Sequence, residues 1–460
     1  MPRLSCGFVL VLGSIVFLAP SFLASLHAAQ TSFAVTTNQQ PLDAARPTSL
    51  PSSPGLQAAP QKKITEYTLP PDLYRKARNR SRIRFASTLL GFLYSLFVLW
   101  LILRRKLSAR FRDWAENASR RRFVQAFIFT ALFTLTFGIL QLPLDLFDES
   151  ISKLYKISVQ PWLSWFGDWA KAQFLTIIIG SFLVWLLYAV IRKSPRRWWL
   201  YFWILSLPIM LFFIFISPYV IEPMFNKFEL LDAKAPQLIV PLQRVTYRAG
   251  QEVPPERMFW MKASEKTIAT NAYVSGFGAS KRIVIWDTAI AQETTDEVLV
   301  DFGHELGHYV LGHIWKGFVF FSGMTLVLLY LGYRSINWLL PRRGPGWGIR
   351  VLDDWASLPA LLFLIFVFGF AANVAGSTFS RYQENQADVY SLEVAHDIVA
   401  DPGQACALSF QNYGEKVLVD PDPNPLQVFL FFDHPPVRDR VSLCVNYDPW
   451  SKGKSPRFVK

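Results

Sequence analysis

The chain has 460 residues, of which 52% are hydrophobic, 15% aromatic and only 18% charged. A composition this apolar excludes an intrinsically disordered chain. The net charge of +13 is compatible with binding to nucleic acid, with an anionic membrane surface, or with charged loops that orient a membrane protein. Three cysteines without a C-x-x-C motif exclude a disulfide-framework protein and a zinc ribbon.

The N-terminus carries a short apolar stretch at residues 8–18, behind a single Arg3 and ahead of small residues. This pattern is typical of a secretory signal peptide over residues 1–29, with retention as a signal anchor as the alternative. Residues 30–82 follow as a tether and pre-membrane segment. Most of this segment is rich in Pro, Ser, Thr, Gln and Ala without periodicity, which predicts disorder.

Six later stretches contain no Asp, Glu, Lys or Arg and are close to the ~20 residues that cross a bilayer. They are Phe85–Leu103, Phe123–Leu144, Ala172–Ile191, Trp198–Ile221, Gly317–Tyr333 and Trp355–Ser380. Buried helices of a soluble core are the alternative, but soluble cores seldom need six uncharged stretches of this length. The sequence therefore predicts a four-helix membrane region over 83–221 and two further membrane helices within 317–380.

Basic residues are concentrated in three loops that alternate spans would place on one face of the membrane. They number sixteen: Arg104, Arg105, Lys106, Arg110, Arg112, Arg120, Arg121, Arg122, Arg192, Lys193, Arg196, Arg197, Arg334, Arg342, Arg343 and Arg350. Short basic loops mark the cytoplasmic side. Residues 222–316 and 381–460 are therefore expected on the outer face, which for a bacterial inner membrane is the periplasm. Because these basic residues lie next to the ends of the membrane spans, the net positive charge is no evidence for nucleic-acid binding, and we expect no nucleic-acid partner.

The segment 301–308 reads D-F-G-H-E-L-G-H and contains the pattern H-E-x-x-H. On a helix, His304 and His308 lie on one face and present two imidazoles to one Zn²⁺, while Glu305 reaches a water at the metal. The pattern predicts a helix over about Asp296–Trp315. Thr294 and the acidic residues after it suit the N-terminus of that helix.

Catalytic zinc takes three protein ligands and leaves one position open. A third histidine at position 314 would complete a known pattern, but this residue is Ile314. We interpret the neighbouring His313 either as a residue that contacts a metal ligand or as a histidine without a role in the site. Glu384, in the run E-N-Q-A-D, is the better candidate for the third ligand. Asp388, four residues later, is then placed to accept a hydrogen bond from the second nitrogen of a ligand histidine.

Several motifs together resemble the integral-membrane zinc metallopeptidases of the CAAX prenyl protease 1 type. H-E-x-x-H is followed, after two apolar stretches, by E-N-Q-A-D; N-A-Y lies upstream at 271–273, and H-P-P at 434–436 precedes Arg440. The run I-E-P-M-F-N-K-F at 221–228 is also similar to that family. The resemblance covers most of the chain, from about Tyr74 to about Arg440, and the combination is specific although H-E-x-x-H alone is general.

The resemblance implies a role for each matching residue. Zinc would be held by His304, His308 and Glu384, with Glu305 as the general base. His434 would stabilise the oxyanion of the reaction, and Arg440 would support either the oxyanion or the charge of the substrate. In this family the strand with Asn271, Ala272 and Tyr273 lies along the cleft, where a peptide substrate can add as a further strand. The alternative is an ordinary hairpin packed on the catalytic helix.

The predicted fold class is mainly α, with six membrane helices, or seven with the N-terminal segment, around a small α+β zincin domain. That domain includes a β-hairpin, formed by β-prone runs at Asn271–Val274 and Arg282–Trp286 around a glycine-containing turn. Its two parts, 222–316 and 381–460, are separated by the last two spans. The expected partners are the lipid bilayer and a membrane-associated or extended peptide substrate.

Two other functions compete with a membrane zinc endopeptidase. An intramembrane protease of the site-2 type places H-E-x-x-H inside an apolar span, which the acidic residues just before His304 contradict. A scaffold with a structural zinc has no use for Glu305. A protease of membrane-protein quality control without prenyl specificity also remains open. Cys406 and Cys444 are predicted to form a disulfide on the outer, oxidising side.

Overall fold

Helices dominate the structure, a computed structural model that describes residues 63–275 and 282–459. In chain order the helices are α1 (Pro71–Arg104), α2 (Leu107–Ala118), α3 (Arg122–Leu154), α4 (Trp162–Lys193), α5 (Trp198–Ile216), α6 (Glu222–Phe225), α7 (Leu231–Lys234), α8 (Ile239–Arg248), α9 (Asp287–Gln292), α10 (Thr295–Val310), α11 (His313–Trp347), α12 (Leu358–Ala395), α13 (Pro402–Val417), α14 (Pro425–Phe431) and α15 (Val437–Asn446). The strands are β1 (Phe228–Leu230), β2 (Met258–Met261), β3 (Ala272–Ser275) and β4 (Arg282–Trp286). The predicted signal segment 1–29 and most of the predicted tether lie outside the described residues.

The six uncharged stretches all fall in helices that are long and apolar enough to cross a membrane, which confirms that prediction. These helices are α1, α3, α4, α5 with its extension through a π-helical turn into α6, α11 and α12. Several extend well beyond their apolar stretch. α1 begins at Pro71, because proline is favoured at the first helical position and an acidic Asp72 follows it. α12 extends to Ala395 and so carries Glu384 and Asp388 on its last turns.

The three basic loops meet at one end of the helix bundle. Arg112 of α2 pairs with Asp354 across 2.6 Å, and the guanidinium of Arg192 lies 5.2 Å from the ring centre of Trp355. Asp168, near the other end of α4, pairs instead with Lys266, which precedes β3. The basic loops and the part of the chain that contains the sheet therefore lie at opposite ends of α4.

A four-stranded sheet has the order β1-β2-β4-β3 among the described strands. β3 and β4 pair antiparallel, with Tyr273 opposite Val284, as the predicted hairpin requires; its turn at 276–281 lies outside the described residues. β4 also pairs in parallel with β2, so it is central and all five of its residues are buried. β3 forms one edge of the sheet, next to α10.

α10 begins as the sequence predicts and ends earlier. The Thr294 hydroxyl accepts from the backbone N–H of Glu297, and the Glu297 carboxylate accepts from the backbone N–H of Thr294, which forms a capping box. The predicted end at Trp315 is wrong, since the helix stops at Val310. Gly312 adopts a left-handed φ of +68°, which glycine tolerates, and α11 starts at the next residue.

Three hydrophobic cores occur among the described residues: the first lies among the spanning helices, the second lies on the face of the sheet toward α10, and a smaller third lies on the opposite face. The second core combines residues from before and after the last two spans, for example Leu306 and Val441. Cys406 and Cys444 form the predicted disulfide there, joining α13 to α15 with a Cα separation of 5.7 Å. The segment before α1 also packs on α13, where the ring of Tyr67 fills the space that a side chain at Gly414 would occupy.

Candidate metal centre

Two glycines bring the helix with H-E-x-x-H directly against α12. A Cβ atom at Gly303 would lie 3.0 Å from Val394, and one at Gly307 would lie 3.0 Å from the ring of Tyr390. The glycines are four residues apart, so they lie on the same face of α10 and leave that face without side chains at two successive turns. Each one immediately precedes a histidine of the motif, and the close approach of the backbones therefore carries His304 and His308 to Glu384.

The donor atoms of these three residues converge within 4.8 Å of one another. The Nε2 atoms of His304 and His308 are 3.1 Å apart. Nε2 of His304 lies 3.2 Å from Oε2 of Glu384, and Nε2 of His308 lies 3.5 Å from Oε1 of the same carboxylate. All three side chains thus point their outermost donor at one place, as the H-E-x-x-H and E-N-Q-A-D motifs lead us to expect.

This arrangement fits a small divalent metal ion. Ligand atoms at about 2.0–2.2 Å from a tetrahedral ion lie roughly 3.3–3.5 Å from one another, close to the separations between these donors. Oε2 of Glu384 is buried and accepts no hydrogen bond from the described residues. A buried carboxylate oxygen without a donor is costly. A cation held between the three side chains would remove that cost.

His304 has a charged partner behind it. Its Nδ1 lies 2.8 Å from Oδ1 of Asp388. Asp388 in turn accepts two hydrogen bonds from Arg440, at 2.8 Å from Nε and 2.5 Å from Nη2. The structure thus places Asp388 on the second nitrogen of His304, the contact that the sequence predicts. Arg440 lies on the same carboxylate, so two of its donors are used to hold Asp388 in place.

His434 and Glu305 complete the cluster. Nε2 of His434 lies 3.2 Å from Oε2 of Glu384, and its Nδ1 lies 2.9 Å from the carboxylate of the neighbouring Asp433. Burial alone lowers the pKa of His434, but Glu384 and Asp433 raise it above its ordinary value. Burial raises the pKa of the Glu305 carboxyl, although His304 and His308 act in the opposite direction. A carboxyl with a raised pKa is better suited to exchange protons near neutral pH.

The side chain of Tyr273 does not line an open cleft. Its side chain is buried, and its hydroxyl donates to Glu222 across 2.8 Å. Arg282 on β4 also donates to this carboxylate, at 2.6 Å. Ala272 is buried as well, and the backbone carbonyl of Asn271 accepts from Trp286. The side chains of Ala272 and Tyr273 therefore pack within the sheet, and the outer edge of β3 presents backbone groups of Ala272 and Val274, because those of Asn271 and Tyr273 face β4.

The sequence left two interpretations of His313, and the structure shows which residues it contacts. Its Nδ1 lies 3.0 Å from Nδ1 of His308, on the side of that ring opposite the Nε2 atom that faces Glu384. Gln386, which the sequence reasoning did not single out, lies 3.2 Å from the other ring nitrogen of His313. The only sequence signal for Gln386 is its position inside E-N-Q-A-D. The break at Gly312 hid the contact, because a continuous helix would turn residue 313 away from residue 308.

Comparison with known proteins gives the family. Residues 57–227 match the model of the CAAX prenyl protease N-terminal region with five membrane helices, and residues 232–446 match the model of peptidase family M48. The uncharacterized metalloprotease YhfN of Bacillus subtilis (strain 168) is 33% identical over 75% of this chain and 79% of its own length. The chain belongs to peptidase family M48. In the described part of the N-terminal region, residues 63–227, four helices are long enough to span, namely α1, α3, α4 and α5 with its extension into α6, whereas α2 is too short.

Two further likenesses concern the sequence and the fold. CAAX prenyl protease 1 of Saccharomyces cerevisiae is 27% identical over 60% of this chain and 64% of its own length. The crystal structure of S. mikatae Ste24p has the same fold, with a TM-score of 0.71 at 21% identity over 82% of this chain and 90% of that one. This M48 protein is therefore an integral-membrane metalloprotease, and a non-enzymatic scaffold is not favoured. The site-2 alternative also fails, since H-E-x-x-H lies on α10, which is not a spanning helix.

Proposed function

We propose that this M48 protein is a zinc-dependent endopeptidase that cleaves membrane-associated or extended peptides. The observation that carries the proposal is the convergence of His304, His308 and Glu384, with Glu305 next to the first histidine. Two imidazoles and one carboxylate are a donor set that favours Zn²⁺ in hydrolytic enzymes. When bound, zinc supplies a Lewis acid that polarises the scissile carbonyl and lowers the pKa of a water.

Three further side chains are proposed to take the other catalytic and positioning roles. Glu305 accepts the proton of the attacking water and returns it to the leaving amine, for which its raised pKa is suitable. His434 donates a hydrogen bond to the oxygen on which negative charge develops, and its raised pKa favours the protonated imidazole that can do so. Arg440 acts through Asp388, which fixes the tautomer of His304.

The substrate is proposed to bind as an added strand. β3 is an edge strand beside α10, and an extended peptide can pair with the outward-facing backbone groups of Ala272 and Val274, since those of Asn271 and Tyr273 face β4. Main-chain pairing tolerates many sequences, which suits unfolded or membrane-associated substrates. The similarity to CAAX prenyl protease 1 makes a prenylated peptide one candidate. A quality-control protease without prenyl specificity is the second candidate, favoured by an outward-facing site that prenylated cytosolic chains would not reach.

The catalytic parts are proposed to face the periplasm of a bacterial inner membrane. The basic loops lie together at one end of the bundle, and basic loops are retained in the cytoplasm. The disulfide between Cys406 and Cys444 lies at the opposite end and suits an oxidising compartment.

This orientation predicts the behaviour of reporters fused after Lys460. Alkaline phosphatase, which folds only outside the cytoplasm, is expected to be active there, and green fluorescent protein, folded in the cytoplasm, is expected to be dark. The same two reporters fused in the loop after Arg196 are the control and should give the reverse pattern. Fluorescence from the fusion after Lys460 would contradict the proposed orientation.

Removal of the metal tests the proposed function. Purified protein in detergent micelles should hydrolyse an extended, unprenylated peptide, and chelation should abolish this activity because no carbonyl is then polarised. Stoichiometric Zn²⁺ should restore hydrolysis and Mg²⁺ should not, since a site with two imidazoles disfavours Mg²⁺. Hydrolysis that continues after metal analysis shows the protein to be free of zinc would refute the proposal.

A further inference from the structure

A chain of hydrogen bonds extends outward from the second nitrogen of His308. Nδ1 of His308 lies 3.0 Å from Nδ1 of His313, and Nε2 of His313 lies 3.2 Å from Oε1 of Gln386. The amide nitrogen of Gln386 lies 3.2 Å from the hydroxyl of Tyr382. These contacts lie on the side of His308 that faces away from Glu384, so they do not compete with the metal donors.

The proposed metal site determines which atom donates and which accepts in each of these hydrogen bonds. A histidine that offers Nε2 to a metal carries its proton on Nδ1. Nδ1 of His308 therefore donates, and Nδ1 of His313 must accept. A neutral imidazole with an accepting Nδ1 has its proton on Nε2, which then donates to the carbonyl oxygen of Gln386. The amide nitrogen of Gln386 donates to Tyr382, so each group has one consistent role.

We propose that His313 and Gln386 are positioning residues that fix the tautomer and ring orientation of His308 for the metal. This inference rests on the proposed function, since it requires a metal at His304, His308 and Glu384. The two ligand histidines are then held differently. His304 has a carboxylate behind it, Asp388, whereas His308 has a neutral imidazole, which orients the ring without adding negative charge to the site.

The break between α10 and α11 is what makes the contact geometrically possible. In a continuous α-helix, residues five apart point about 140° away from each other around the axis. Gly312, with its φ of +68°, ends α10 and turns the chain, so that His313 at the start of α11 faces back toward His308. The side-chain amide of Gln383 donates to the carbonyl of His313 across 3.2 Å and holds the turn against α12.

Two substitutions at one position test the proposal. Asparagine at 313 places an amide oxygen close to where Nδ1 stands and keeps the acceptor, whereas leucine has a similar size and removes it. We expect His313→Leu to weaken zinc binding about 10–100-fold, the range for groups behind metal ligands, and His313→Asn to stay within about threefold of the wild type. The dissociation constant is measured by competition with a zinc chelator. His396→Leu is the control, since His396 stacks on Trp450 instead.

The unfolding temperature of the metal-free protein shows whether His313→Leu folds. If it does not, Gln386→Leu decides, because it removes the acceptor that fixes the tautomer of His313 and should weaken zinc binding about tenfold. Wild-type zinc affinity in both leucine variants would overturn the proposal, as would an equal loss in His313→Asn and His313→Leu. Failure of the wild type itself to bind zinc would instead refute the proposed function.

Discussion

Glu305→Gln is expected to leave zinc bound and to lower kcat for peptide cleavage by about 10²–10⁴-fold. Glutamine has almost the same size and polarity, but it cannot accept the proton of the attacking water. Because Glu305 is not among the three residues proposed to hold the metal, those three side chains should keep their positions. The measurements are the rate of cleavage of a fluorogenic peptide and the zinc content of the same preparation.

Asp296→Asn is the matched control, because it removes one negative charge from the same helix at an exposed position in the first turn. This variant should cleave at the wild-type rate. Unchanged cleavage by Glu305→Gln would exclude Glu305 as the general base. Loss of zinc from Glu305→Gln would show that the carboxylate acts on metal binding, which the geometry of the cluster does not predict.

Glu384→Ala is expected to remove both zinc and activity. The site would retain only the two imidazoles of His304 and His308, and the open space left by the carboxylate would admit water. We expect zinc affinity to fall by more than the roughly 10–100-fold typical of groups behind the ligands. The increase in unfolding temperature that zinc gives the wild type should also disappear, since that increase depends on the concentration of zinc relative to its dissociation constant.

Glu252→Ala, at an exposed position in the loop before β2, is the control for a lost glutamate side chain. It should bind zinc and cleave peptide like the wild type. If Glu384→Ala kept full zinc content, the third ligand would have to come from another residue, and His434 would be the first to test because its Nε2 lies 3.2 Å from the Glu384 carboxylate.

Much of the fold and of the site was predictable from local sequence patterns. Uncharged stretches identify spans because the bilayer imposes a length and excludes charge. H-E-x-x-H and the four-residue spacing of Glu384 and Asp388 identify three candidate donors and the carboxylate that contacts His304, because a helix places such residues on one face. The capping residue Thr294 marked the start of α10 for the same reason, since cap geometry depends only on neighbouring residues.

What the sequence did not predict depends on contacts between distant segments. Gly303 and Gly307 look like poor helix residues until α12 is seen against them. The contact of His313 with His308 depends on a turn at Gly312 that a helical pattern passes over. The burial of Tyr273 on Glu222 likewise required the sheet and the end of the fourth span to be seen together, because periodicity carries no information about partners far along the chain.

The residues proposed to hold the metal are divided between α10 and α12, with the whole of α11 between them. Ribosomes make the chain from its N-terminus, so the two histidines emerge first, and Glu384 follows only after the last two spans have been synthesised. His434 and Arg440 emerge later still. A nascent chain therefore contains no complete proteolytic site until its last span has been made and packed against α10.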